Sequence, residues 1–377
     1  MNKNFENYFQ ETLRGIRDMV PGGFPEIREL FGDIKLIASF SHSNPNLPVN
    51  EVYGNFFLDR LIEEAGIEPS SVMNIAYDNP LPSSDSPRGD RIQYSAVNPV
   101  IMEPDIPYSF QKDAVYQEGS VFKGGINILH SIPDENRGAF SERIDRVHKI
   151  LKSSLSPGGG GPSGKILQAR REFLALTGIG KTREVPFSGP PTELCTGVLE
   201  KLCLKGYPFW EMELPREYEK YRSNTFFVEG IDRTGRRNPV KIRNGFFEFK
   251  DIDGVRKIHR DDIFSALRSR EVIPTMPLVV LGLSAGPGIP HLGGRVWPVY
   301  GRPIAGRLIK WLGLGVTSED IIKTTGGLKS LGVYKKERSY YGFPLVYATF
   351  GRKEIRNRIT SPSGKREELQ RRVYPSD

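Results

Sequence analysis

The feature that most restricts the fold is a change of hydrophobic period between residues 33 and 82. The segment "DIKLIASFSHSNPN" holds an apolar run that stops at a polar loop. Next, "NFFLDRLIEEAG" places Phe56, Phe57, Leu58, Leu61, Ile62 and Ala65 at helical spacing, with Asn55 in position to cap and Gly66 to stop the helix. A second apolar run, "SVMNIAYDNPLP", again ends in polar residues. Two short runs without alternation, joined by an amphipathic helix, read as parallel strands in a βαβ unit.

The same reading extends along the chain. Residues 1–31 look helical, with a break from Pro21 to Gly23. "GGINILHSIPDENRG" reads as a third run, ending at Leu129 and His130, followed by the helix "AFSERIDRVHKILKSSL". "SPGGGGPSGK", residues 156–165, is the clearest break. Helices follow in "KILQARREFLALTG" and "TELCTGVLEKLCLKG". Residues 211–259 turn toward antiparallel strands, with "DIDG" as a turn, before the helix "RDDIFSALRSRE". In "PLVVLGLSAGPGIPHLGG" the run Leu278–Leu283 reads as a buried strand leading into a glycine-proline loop. "RPIAGRLIKWLGLG" and "TSEDIIKTTGG" look helical, the latter capped by Thr317 or Ser318, and "YYGFPLVYATF" reads as a last strand. The expected fold is α/β, a largely parallel or mixed sheet flanked by helices, with an inserted antiparallel strand region. The expected organisation is an N-terminal lobe 1–155, a Gly/Pro-rich linker 156–165, a C-terminal lobe 166–350 carrying the antiparallel strands, and a basic tail 351–377.

With 377 residues, 38% of them hydrophobic, the chain can build a core without metal or disulfides. Its two cysteines, Cys195 and Cys203, are neither a disulfide framework nor a CxxC pair. The N-terminal stretch carries Glu6, Glu11 and Asp18 and lacks the apolar core of a signal peptide, so a cytoplasmic protein without membrane spans is expected. The net charge of +8 is uneven. Residues 329–377 hold 12 Lys or Arg against 5 Asp or Glu, which leaves the rest near neutral. A basic tail of this kind suits phosphate contacts to nucleic acid, a solvated terminus or an acidic partner face.

Candidate chemistry clusters at the ends of the expected strands. His42, Asp78 and His130 follow three runs directly, and His291 follows the fourth by seven residues. If the strands are parallel neighbours, these groups meet at one edge of the sheet, where α/β folds bind ligands. Imidazoles there serve proton transfer, and Asp78 orients one or holds a cation. Three imidazoles and a carboxylate also suit a divalent metal, although no HxH or HExxH pair marks one. Ser284 lies within Gly282-Leu-Ser-Ala-Gly286, the spacing of a nucleophile elbow, but "PGIP" follows where a helix should. The P-loop spacing from Gly159 to Lys165 has Ile166 where a hydroxyl is needed, and "TGIGKT" is too short. The amides around Gly286 and Gly288, with Arg295 and Arg302 downstream, form an expected anion cradle.

These residues point to an enzyme acting on a small acidic or phosphorylated metabolite by histidine-assisted transfer or hydrolysis. A second reading is a nucleic-acid-binding or nucleic-acid-processing protein, with glycosylase-like base recognition, led by the basic C-terminal region. A third is a non-catalytic interaction protein.

Overall fold

The computed structural model describes residues 3–17, 22–43, 47, 49–79, 100–101, 106–112, 115–116, 134–156, 161–212, 227–294, 297–325, 347 and 351–353. The chain opens with helices α1 (Lys3–Arg17) and α2 (Pro25–Arg28), then runs through strand β1 (Leu36–His42), helix α3 (Val49–Ala65) and strand β2 (Val72–Tyr77). Short strands β3 (Val100–Ile101) and β4 (Val115–Tyr116) pair with each other. Helices α4 (Asp134–Ser154) and α5 (Pro162–Thr177), strand β5 (Glu184–Pro186) and helix α6 (Pro190–Leu204) follow. Next come β6 (Val228–Ile231), β7 (Arg237–Pro239), β8 (Lys241–Arg243), β9 (Phe246–Asp251), β10 (Gly254–His259), α7 (Ile263–Arg268) and β11 (Val272–Pro274). Then come α8 (Met276–Val280), a π-helical turn at Leu281–Ala285, β12 (His291–Gly293), α9 (Trp297–Leu312), α10 (Ser318–Ile321) and β13 (Ile322–Thr324).

Five strands form one parallel sheet in the order β13–β12–β1–β2–β5. The β1–α3–β2 segment is the βαβ unit that the period change predicts. Alternation divides the sheet into two buried faces. Leu36, Ala38, Phe40, Val72 and Leu292 pack with side chains of α1, α3, α4 and α5. Ile37, Ile75 and Tyr77 pack with α6, α8, α9 and the antiparallel strands. The latter form two three-stranded sheets, β11–β6–β7 and β10–β9–β8, with Phe249 seated on Gly230. No described helix is long and apolar enough to cross a membrane.

Several local expectations change. Leu278–Leu283 is helical, not a strand. It is buried on every side, and a short apolar run with no polar face cannot signal its own period. Helix α3 begins before Asn55, so Asn55 is no cap; its buried side chain donates to the Glu51 carbonyl at 3.0 Å. Helix α5 begins at Pro162, inside the expected linker, with proline in the first turn where its missing N–H costs nothing. The parallel sheet takes β1 and β2 from before residues 156–165 and β5, β12 and β13 from after them, so that break does not divide the sheet. The strand expected in "YYGFPLVYATF" falls outside the described residues except for Tyr347, which is buried and helical.

Candidate functional site

His291 is the first residue of β12, in the middle of the sheet, and has no exposed surface. Its Nδ1 lies 2.6 Å from the Ser284 hydroxyl and its Nε2 bonds the Ser39 hydroxyl, which in turn bonds Tyr77. A neutral imidazole offers one donor and one acceptor, so one serine accepts from the ring and the other donates to it. Burial drives the His291 pKa down to about 3. The Trp297 ring packs on the imidazole at 4.7 Å, and its N–H donates to the His291 carbonyl. Ser284 is equally buried and sits on the π-helical turn rather than at a strand-to-helix elbow.

The glycines around Ser284 are explained by packing. A Cβ on Gly282 would lie 2.5 Å from Cys195 Sγ, and one on Gly286 would lie 3.1 Å from Val198. These two glycines, four residues apart, form the seam on which α6 rests. Gly288 has φ +68°, and a Cβ there would fall 1.5 Å from the Gly22 carbonyl oxygen. The Phe24 N–H donates to the Gly286 carbonyl at 2.9 Å. Residues 22–24 therefore occupy the space beside Gly286 and Gly288 that the anion cradle would need. Similarly, the Gly180 and Lys181 amides of "TGIGKT" already hold the Asp59 carboxylate, at 2.7 and 2.8 Å.

The carboxyl edge of the sheet is different. The connection through α3 carries the chain from β1 to one neighbour, and α9 carries it from β12 the other way. Strand order thus reverses between β1 and β12, the position where open α/β sheets leave a crevice. β1 also contains a bulge: Ser39 and Phe40 stand opposite Ile75 alone. The extra residue turns His42 to the face of Tyr77, whose ring meets it edge-on at 6.2 Å. His42 Nδ1 and Ser43 Oγ are buried atoms with no hydrogen-bond partner among the described residues.

Asp78 stands one residue beyond the partner of His42, on the neighbouring strand. Its carboxylate accepts from the Ser188 N–H at 2.9 Å and from the Ser188 hydroxyl. Burial raises its pKa, outweighing the Ser188 hydrogen bonds and the nearby charge of Arg270. Two arginines of the antiparallel unit close over this strand end. Arg237 donates to the Asn79 carbonyl at 3.1 Å and pairs with Glu229. Arg270 donates to the Ser109 carbonyl at 3.0 Å and lies over the Phe110 ring. Arg270 has φ +62°, just past the end of α7, where glycine is the usual residue. That conformation costs a non-glycine residue about 1–2 kcal/mol. Neither arginine is marked in the sequence as a site residue. Only the packing of the antiparallel unit brings them here.

Behind the edge, Arg170 of α5 is fully buried between two carboxylates. It donates to both oxygens of Glu184 at 2.8 Å and to Glu51 at 2.8 Å. Burial opposes its charge, yet Glu184 and Glu51 hold its pKa above the ordinary value. Glu51 also accepts from the His42 N–H at 3.3 Å, tying this triad to the end of β1.

The expected site therefore separates. His42 and Asp78 lie at adjacent strand ends. His291 pairs with Ile37 in the ladder, five residues before His42, or about 16 Å along the strand at the usual rise. His130 and Arg295 lie outside the described residues. Arg302 is inside α9 rather than at its start, half exposed, with Glu319 at 3.8 Å. Among the described residues, no three His, Cys, Asp or Glu side chains come together to hold a metal ion. Comparison of the chain with protein-family models, with curated proteins and with solved structures returns no match.

Proposed function

We propose that the chain is an enzyme that binds a small acidic or phosphorylated substrate at the carboxyl edge of β1 and β2, with His42 moving the proton in a group transfer or hydrolysis. The observation that carries this reading is the pair of buried, unpartnered atoms at the end of β1, His42 Nδ1 and Ser43 Oγ. Buried polar atoms are nearly always paired, and a bound substrate would supply these partners. Arg237 and Arg270 favour an anionic group, since a guanidinium matches carboxylate and phosphate oxygens in pairs. Asp78, with its raised pKa, suits a second proton carrier. A cytoplasmic setting fits the two free thiols, Cys195 and Cys203.

Calorimetry with inorganic phosphate and a turnover screen over phosphate monoesters and carboxylic esters test the reading. His42→Asn should keep the wild-type melting temperature and lose about 100-fold or more in turnover. Arg270→Gly should weaken phosphate binding by about tenfold or more while easing the strained end of α7. Wild-type binding and turnover in both variants would overturn the proposal.

A further inference from the structure

Residues directly opposite each other in an antiparallel ladder share a face. In β8–β9–β10 the register therefore sorts the outer face into three rows. Arg243, Phe246 and His259 form one; Lys241, Glu248 and Lys257 the next; Lys250 and Val255 the last. Of the positions between them, Phe247, Phe249 and Ile258 are buried, while Ile242 and Arg256 at the margins of the sheet are not. Lys241, Arg243, Lys250 and Lys257 are exposed. Glu248 is the sole acid in these rows and pairs with Lys257 at 2.9 Å. Asp261 adds one carboxylate beside His259, 3.3 Å from its Nδ1. Lys241, Arg243 and Lys250 make no ion pair among the described residues, so the face keeps an excess of positive charge. It also carries two rings. Phe246 and His259 stand edge to face at 5.2 Å, and neither is fully buried.

We propose that this face binds single-stranded nucleic acid, with bases stacked on Phe246 and His259 and phosphates held by Lys241, Arg243 and Lys250. The cations require a polyanion, and the rings require flat apolar groups set among its charges. A nucleotide strand offers both in alternation, and stacking on sheet aromatics tolerates any base. A duplex suits the face less well, because its bases are already stacked and its major groove admits a helix or a two-stranded ribbon. This surface shares no residue with the β1–β2 edge.

Fluorescence anisotropy of a labelled 20-nucleotide oligo-dT with the full chain tests the proposal. Affinity should fall with salt with a log–log slope of about −2, from three phosphates at about −0.7 each on a single strand. Replacing Lys241, Arg243 and Lys250 together with Gln should weaken binding at least tenfold and flatten that slope. The variants Phe246→Leu and His259→Ser should each lose about tenfold with the slope unchanged. Thermal unfolding of each variant checks the fold, and the partly exposed His259 position, where serine can still accept from the Asp261 N–H, reads stacking if the Phe246 variant unfolds. Binding that survives both ring changes, or that inorganic polyphosphate displaces as well as unlabelled oligo-dT does, would overturn base recognition. Loss only on replacing Arg366, Arg371 and Arg372 with Ala would move binding to the tail and overturn the assignment of this face.

Discussion

His291 and His42 lie on neighbouring strands of one sheet, and the protein treats them in opposite ways. His291 has a serine at each nitrogen, no solvent contact and a pKa pushed down to about 3. His42 is only partly buried, ends its strand and leaves Nδ1 unpaired. The residue type is the same, and five positions along the ladder separate structural from candidate chemical use. In mid-sheet, with packing on both faces, a buried side chain can draw only on internal partners, and His291 finds one for each ring nitrogen. At the carboxyl edge the helices part and the loops begin, so a polar atom can be left for a ligand.

The strongest test of the enclosed half of this contrast is Arg170. Arg170→Leu leaves Glu51 and Glu184 buried around an apolar side chain. The expected cost is about 3–5 kcal/mol in urea unfolding, the usual loss when one partner of a buried ion pair is removed. Making positions 51, 170 and 184 all Leu should recover most of it, since buried ion pairs rarely outperform well-packed apolar groups. A loss below about 1 kcal/mol in the single variant would mean that water reaches the triad.

A smaller effect follows from His291 and pH. In the folded protein the imidazole stays neutral down to about pH 3, while in the unfolded chain it takes up a proton near 6.5. Between those values the unfolded state binds the extra proton, so stability falls as pH falls. At about 1.4 kcal/mol per pH unit, His291 should cost about 2 kcal/mol between pH 7 and pH 5. His291→Gln keeps a donor and an acceptor but does not titrate. Its stability should therefore decline less over that range by about the same amount, and parallel curves would show that His291 is not enclosed.

The sequence discloses this arrangement unevenly, for physical reasons. The β1–α3–β2 unit is legible because the period changes from strand to helix and back, and the Gly66 stop is confirmed by its φ of +66°. The hairpin at "DIDG" is legible from its turn residues. The neighbouring Asn244-Gly245 turn, with both residues at positive φ, is an equally plain signal. Helix α8 is illegible because full burial erases amphipathic period. His42 and Asp78 could be found by position after an apolar run. His291 looks equivalent only if the preceding run is taken as its strand, whereas its strand is three residues long and includes it. Arg237 and Arg270 could not be found, since no local pattern says where an inserted sheet will lay its side chains.

The finest test sets Ser43 against Ser284, two buried serines with no exposed surface. Ser284 supplies the partner of His291 Nδ1, so Ser284→Ala strands a buried ring nitrogen and should cost about 1–3 kcal/mol. Ser43 has a hydroxyl that bonds nothing among the described residues. Removing it deletes an unsatisfied buried group, so Ser43→Ala should leave stability unchanged or raise it by up to about 1 kcal/mol. Residues kept for ligands characteristically give up stability in this way. The two substitutions remove the same atom from equally buried sites, so opposite signs can come only from what each hydroxyl meets. Thermal melts of the two variants alongside wild type measure that difference. A destabilisation of Ser43→Ala equal to that of Ser284→Ala would mean that the end of β1 is as internally satisfied as the middle of β12. Phosphate should protect the wild type against heat more than it protects Ser43→Ala, because the missing partner of Ser43 is then the ligand itself.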